Sequence, residues 1–166
     1  MIETYITAIN EAIRVGKGTL SGLINGIAQP VTSGDTEIPY ITVRGEANHV
    51  FIDDAFDFGC YHKQNGITYV EDYAKGYGDA KRIREVQDLS LIVWGFIEKI
   101  TAEQFKDLFL SVSPEFVRFV SVSFDKKTIY NAEFKGIDYQ INEDIFLIRI
   151  NYRVQYDINK KCLNIN

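Results

Sequence analysis

Ile148-Arg149-Ile150-Asn151-Tyr152-Arg153-Val154-Gln155-Tyr156-Asp157 places an apolar or tyrosyl side chain at every even position and a polar one at every odd position. Successive side chains of a strand point to opposite faces. This period of two therefore describes a strand with one face in a core and the other toward water or a polar partner. Leu89-Ser90-Leu91-Ile92-Val93-Trp94 differs in one respect: Leu89, Leu91 and Val93 share one face, and Ser90, Ile92 and Trp94 share the other. Apolar groups on both faces predict a central strand covered on two sides. Phe116 to Phe124 is a third strand, with Val120, Val122 and Phe124 on one face.

Between the second and third of these strands lies a well-marked helix. Thr101-Ala102-Glu103-Gln104 is a capping box, Ile100 and Phe105 are spaced for a hydrophobic staple, and Pro114 marks the exit. Phe105, Leu108 and Phe109 form its apolar stripe. At the start of the chain Ile2, Tyr5, Ile6, Ile9 and Ile13 recur at helical spacing, and Gly16 and Gly18 terminate the helix. Leu20, Leu23, Ile24 and Ile27 repeat that spacing, but Gly22 and Gly26 interrupt it, so a short, weak helix is expected there. Pro30 to Glu37 reads as a loop, Tyr40 to Val43 as a strand entered through Pro39, and Val50-Phe51-Ile52 as another strand. Phe56 to Lys63 and Ile67 to Tyr73 read as a hairpin turning at Gln64-Asn65-Gly66, because Asn-Gly tolerates positive φ at both residues. Gly76-Tyr77-Gly78-Asp79 is a loop or tip, and Asp125 to Ile145 an extra hairpin or loop. The expected fold is α+β over residues 1–166 as a single domain. It has a curved, mostly antiparallel sheet, an N-terminal amphipathic helix, and a second helix packed on one face.

The composition narrows the classes of function. Eighteen basic and 23 acidic side chains give a net charge of −5, which argues against a dedicated duplex nucleic-acid binder. The one basic cluster, Lys81-Arg82-Ile83-Arg84, has acidic residues on both sides. Hydrophobic residues, 46% of the chain, suffice for a core without a metal or disulfide staple. Cys60 and Cys162 form no C-x-x-C pair, so a reducing cytosol is the expected site of synthesis. The first residues have neither a basic region nor a continuous apolar one, so no signal peptide is expected. No apolar run approaches the ~20 residues of a membrane span.

The residues that carry chemistry do not assemble into a motif. Cys60 and His62 share a strand face and are the sole candidates for a thiol–imidazole site, with His49, Asp53 and Asp57 the only nearby additional metal ligands. Their spacing matches no closed zinc site. Asp53, Asp54 and Asp57 lack the glycine and terminal glutamate of a calcium loop. Gly76-Tyr77-Gly78-Asp79 with Lys81 and Arg82 lacks the G-x-x-x-x-G-K-[ST] pattern of a phosphate loop, and no G-x-S-x-G or H-E-x-x-H is present. No catalytic residue, metal or cofactor is assigned.

The order of elements resembles that of tail-terminator and neck (head–tail joining) proteins of tailed phages and prophages. The resemblance rests on the leading helix Ile2 to Ile13, the central strand Arg84 to Phe96, the helix Thr101 to Leu110 and the closing strand Phe146 to Asp157. It is a match of pattern and carries over no individual residue; the lengths of Gly16 to Glu37 and of Asp125 to Ile145 depart from it. It implies a structural protein rather than an enzyme, made in the bacterial host cytoplasm and resident in the virion. Copies would form a ring, commonly a hexamer, completing the tail tube and meeting connector proteins while DNA passes without specific binding. Tyr61, Tyr69 and Tyr77 are then candidate docking groups, and Arg149, Asn151 and Arg153 candidate lumen or interface groups. Two other readings compete: a small-molecule or peptide-binding module with a cleft lined by Tyr and Phe, and a small enzyme built on Cys60 and His62.

Overall fold

In the computed structural model, which describes residues 2–43, 46–50, 52–73 and 81–158, three helices and eight strands follow one another. They are α1 (Ile2–Gly16), β1 (Gly22–Ile27), β2 (Gln29–Ser33), β3 (Thr36–Val43), β4 (Glu46–His49), β5 (Phe58–Tyr73), β6 (Lys81–Phe96), α2 (Ala102–Val112), β7 (Val117–Ser123), α3 (Lys126–Glu133) and β8 (Ile145–Ile158). The architecture is α+β. The main sheet has five strands in the order β1-β5-β6-β8-β7, and β2-β3-β4 form a smaller sheet. All pairings are antiparallel except β1 with β5. Among the described residues no helix is long and apolar enough to cross a membrane.

β6 is central, as its two apolar faces require. Leu89, Leu91 and Val93 meet Ile6, Ile9 and Ile13 of α1 and Phe105 and Phe109 of α2, together with Ile148 and Ile150 of β8. Ile92 and Trp94 face the other way, toward Ile129 and Phe134 of α3 and Ile38 and Ile41 of β3. The sheet thus carries two helices on one side, and α3 with the small sheet on the other. Each fully buried Leu or Ile contributes roughly 1.5–3 kcal/mol, so β6 and its neighbour β8, which buries seven apolar side chains to the six of β6, together concentrate much of the stabilising burial. Gly59 is dictated by the same packing: it lies opposite Trp94, and a Cβ there would collide with the buried indole. The capping box of α2 is formed as expected, with Gln104 N–H donating to Thr101 Oγ1 and Thr101 N–H to Gln104 Oε1. Ile100 and Phe105 are both buried in the helix-side core.

Several expectations are corrected. Leu20 to Ile27 does not form a helix: Gly22 and Gly26 weaken one, and the segment instead adds to β5 as strand β1. Pro30 to Glu37 is not a loop but a hairpin, β2 to β3, turning on Gly34-Asp35 with Gly34 at φ 60°. Every residue of β2 is exposed, so it has no apolar alternation to betray it. β4 ends at His49; Val50 and Ile52 lie after it, and Phe51 is outside the described residues. The hairpin at Asn65-Gly66 is absent. β5 runs straight through, with Gln64 opposite Leu89 and Gly66 opposite Asp88, so Asn65 is the extra residue of a bulge. Tyr73 pairs with Lys81, and the expected tip Gly76-Tyr77-Gly78-Asp79 lies outside the described residues. Lys126 to Glu133 is helical, capped by Asp125, which accepts from Thr128 N–H. Val120 and Phe124, two of the three apolar groups expected to share one face of the third strand, are both more than two-fifths exposed.

Leu91→Ala should lower unfolding free energy by about 2–5 kcal/mol, and Thr101→Ala by about 1 kcal/mol. Urea titrations check both; equal losses would contradict the central place given to β6.

Candidate functional site

The polar face of β8 is held by its own chain. Arg149 Nη2 donates to Glu133 Oε1 at 2.6 Å and Lys63 Nζ donates to the same oxygen at 2.9 Å. Tyr61 donates its hydroxyl to Glu133 Oε2 at 3.1 Å. The Glu133 side chain, 3% exposed, comes from α3, so one buried carboxylate ties that helix to β5 and β8. Two cations and a phenol offset its desolvation; losing either partner of such a pair is far costlier than the pair is stabilising. Burial first, and the adjacent Glu133 second, push the Tyr61 hydroxyl well above its usual pKa.

Asn151 sits in a ladder that crosses four strands. Asn65 Nδ2 donates to Ser90 Oγ (2.7 Å), Ser90 Oγ to Asn151 Oδ1 (2.7 Å), and Asn151 Nδ2 to Ser121 Oγ (2.9 Å). The bulge in β5 is what supplies Asn65 to this ladder. Arg153 Nε donates to Asp88 Oδ1 at 2.6 Å, and Arg84 Nε to Asp157 Oδ1 at 3.4 Å. The guanidinium groups of this face therefore stand beside carboxylates of the same chain.

The candidate docking tyrosines separate. Tyr61 is only 1% exposed and belongs to the interior, which corrects its assignment as a docking group. Tyr69 is 61% exposed, on a long arm formed by the outer halves of β5 and β6 with the end of β8. Tyr77 lies outside the described residues. Ile67 and Val70 accompany Tyr69 in exposure, and a second exposed apolar group, Leu110, Phe119 and Val120, borders β7 at the edge of the sheet. A groove of about 450 Å³ runs between α1 and β1 at the opposite edge, lined by Ile2, Ile6, Ile24 and Ile27 together with polar Asn10 and Gln64 and charged Glu3 and Arg14. Its apolar lining is aliphatic, unlike the cleft of Tyr and Phe that a binding module led us to expect.

Cys60 and His62 do lie on one strand and are both fully buried, yet they do not form a nucleophile–base pair. Both imidazole nitrogens are engaged elsewhere: Nδ1 is 2.6 Å from the Tyr152 hydroxyl and Nε2 2.7 Å from Asn10 Oδ1. Asn10 in turn donates Nδ2 to the Asn25 carbonyl at 3.0 Å. This chain is satisfied when neutral His62 carries its proton on Nε2 and accepts from Tyr152, so the network joins α1, β1, β5 and β8. Burial pushes the Cys60 thiol up to about 12 and His62 down to about 3, so neither titrates near neutrality. Sequence reasoning missed this network, because Asn10 occupies a helix face dominated by isoleucine. Asp53 serves a local turn, accepting from Ala55 N–H, and Asp57 accepts from Ser21 N–H, tying the segment before β1 to the one before β5. His49 lies in β4 opposite Tyr40, away from the β5 pair in sequence and sheet, and Cys162 is outside the described residues. Among the described residues no three His, Cys, Asp or Glu side chains are grouped to hold a metal.

Comparison of the sequence with family models and with curated proteins finds no match.

An unfolded histidine protonates near pH 6.5, whereas His62 stays neutral down to about 3. Between those values the unfolded chain binds the extra proton, so stability is full above 6.5 and falls as pH drops, by up to about 1.4 kcal/mol per unit. Tyr152 and Cys60, which face the ring, stay neutral throughout that range. Urea midpoints at pH 7, 6 and 5 should fall for the native protein and fall less for His62→Gln. Parallel lines would contradict the buried neutral imidazole.

Proposed function

We propose that the protein is a non-enzymatic structural component of a phage-like particle, whose copies form a ring at the junction of tail and neck. The observation that carries this reading is the presence of exposed apolar groups at two separate places. One is the arm, with Ile67, Tyr69 and Val70; the other is the β7 border, with Leu110, Phe119 and Val120. Contiguous apolar surface mostly marks association sites. A ring of identical subunits needs two different complementary surfaces, because each copy meets one neighbour with one surface and the next neighbour with the other.

Two further features support the reading. The leading amphipathic helix, the long central strand followed by a capped helix, and the late alternating strand keep the order that the resemblance rests on. On the polar face of β8, Arg149 and Arg153 stand against Glu133 and Asp88. Basic groups neutralised in this way grip phosphates weakly, as suits a passage through which DNA must slide. Tail-tube and connector proteins are the further partners of this reading.

Light scattering across a concentration series at two salt levels, with negative-stain imaging of the largest species, tests the proposal. A closed ring several times the 19.0 kDa subunit mass, near six copies, is expected. A 19.0 kDa monomer at every concentration would contradict it.

A further inference from the structure

We infer that the ring is closed by strand addition, β7 of one copy pairing with β1 of the next, so that the five-stranded sheets join into one continuous sheet. This inference rests on the ring reading above and revises which surfaces form its junction: of the two exposed apolar places it keeps the β7 border, takes the open β1 edge as its complement, and leaves Ile67, Tyr69 and Val70 outside the contact.

The two strands end the same sheet at opposite sides, and among the described residues their outer backbone rows have no partner strand. β1, Gly22-Leu23-Ile24-Asn25-Gly26-Ile27, contains no charged residue and no proline. β7 has a single charge, Arg118, and exposes Phe119 and Val120. Edge strands of solitary proteins are normally guarded by lysine, proline, a covering element, short length or a bulge; these two strands lack lysine and proline. Each of these edges also carries an irregularity, between Ile24 and Ile27 in β1 and between Phe119 and Ser121 in β7. Such breaks bar an arbitrary flat strand, so a partner must follow the same local bend.

Strand direction agrees. β1 runs with β5, β5 against β6, β6 against β8, and β8 against β7, so β1 and β7 are antiparallel. Rotating a copy about an axis along the strands therefore brings β7 beside the neighbour's β1 as an ordinary antiparallel pair. Side-chain parity agrees as well. Phe119 lies opposite Tyr152, whose side chain is in the core beneath α1 and α2, so Phe119 is on the helix side of the sheet. On that same side at the β1 edge lies the groove in which Ile2, Ile6, Ile24 and Ile27 are joined by the charged and polar side chains of Glu3, Asn10 and Arg14. Backbone pairing with a side chain seated in an adjacent pocket is the general mode of strand addition.

The extent of the contact selects a ring over a dimer. A six-residue edge is about 20 Å long, and alone it falls short of the ~800 Å² per partner of a stable pairwise interface. A head-to-tail ring uses both edges of every copy, so closure stabilises what a single junction does not.

The test uses two variants of the full chain. Val120→Lys places a charge on the β7 edge at an exposed site. Gly26→Lys places one on the β1 edge, where a Cβ meets nothing within 4 Å. Circular dichroism confirms that each is folded, and native mass spectrometry with light scattering reads the assembly. Each variant alone is expected to lose the ring, and an equal mixture to give no species larger than a pair, since one intact junction remains between Gly26→Lys β7 and Val120→Lys β1. If the native protein forms a ring and both folded variants still do, the junction is elsewhere and the ring reading stands. If the native protein is monomeric throughout, both readings fail.

Discussion

The register between β6 and β8 is the constraint on which the rest of the molecule depends. It runs unbroken from Ile83 opposite Ile158 to Phe96 opposite Ile145. Because β6 is apolar on both faces over Leu89 to Trp94, the sheet cannot be left bare on either side. α1 and α2 cover one face, while α3 and the small sheet cover the other. A slip of one residue in β8 would turn Ile148, Ile150, Tyr152 and Val154 outward and bring Arg149 and Arg153 into the helix-side core. The polar contacts reinforce the same alignment, since Ser90 to Asn151 and Asp88 to Arg153 form in this register alone.

What was legible in the sequence follows from this constraint. Ile148 to Asp157, Leu89 to Trp94, Ile2 to Ile13 and the Thr101 capping box each carry a local signal that tertiary packing reinforces. The elements that misled are those where local chemistry and tertiary demand differ. Asn65-Gly66 has the composition of a tight turn, but the extension of β6 beyond it offers a continuous partner, and the dipeptide settles as a bulge. Leu23, Ile24 and Ile27 fit a helix wheel and an edge strand equally, and the open edge of β5 decides between them. Pro30 to Glu37 is exposed and polar, so neither period marks it. α3 was hidden because a helix this short has one apolar turn, Ile129 and Tyr130, and depends on Glu133 for anchorage.

The candidate site was legible by residue type more than by position. Arg149, Asn151 and Arg153 were found through their alternation, but their partners Glu133, Ser121 and Asp88 come from other elements and could not be assigned from spacing. His62 attracted notice as a possible base. Its surroundings make it a structural link instead, neutral and shared between Tyr152 and Asn10. The polar atoms of the interior are thus largely spent on holding the layers together. The exposed apolar surfaces left for partners are the arm and the β7 end of the main sheet, while the β1 end offers an uncharged strand beside a mixed groove.

Amide hydrogen exchange, compared between dilute and concentrated protein, tests that division of labour most directly. Concentration is predicted to slow exchange in Val117–Ser123 and Gly22–Ile27, while the interior amides of β8 remain as protected as before. Unchanged exchange at both edges in a sample that has assembled would contradict the account.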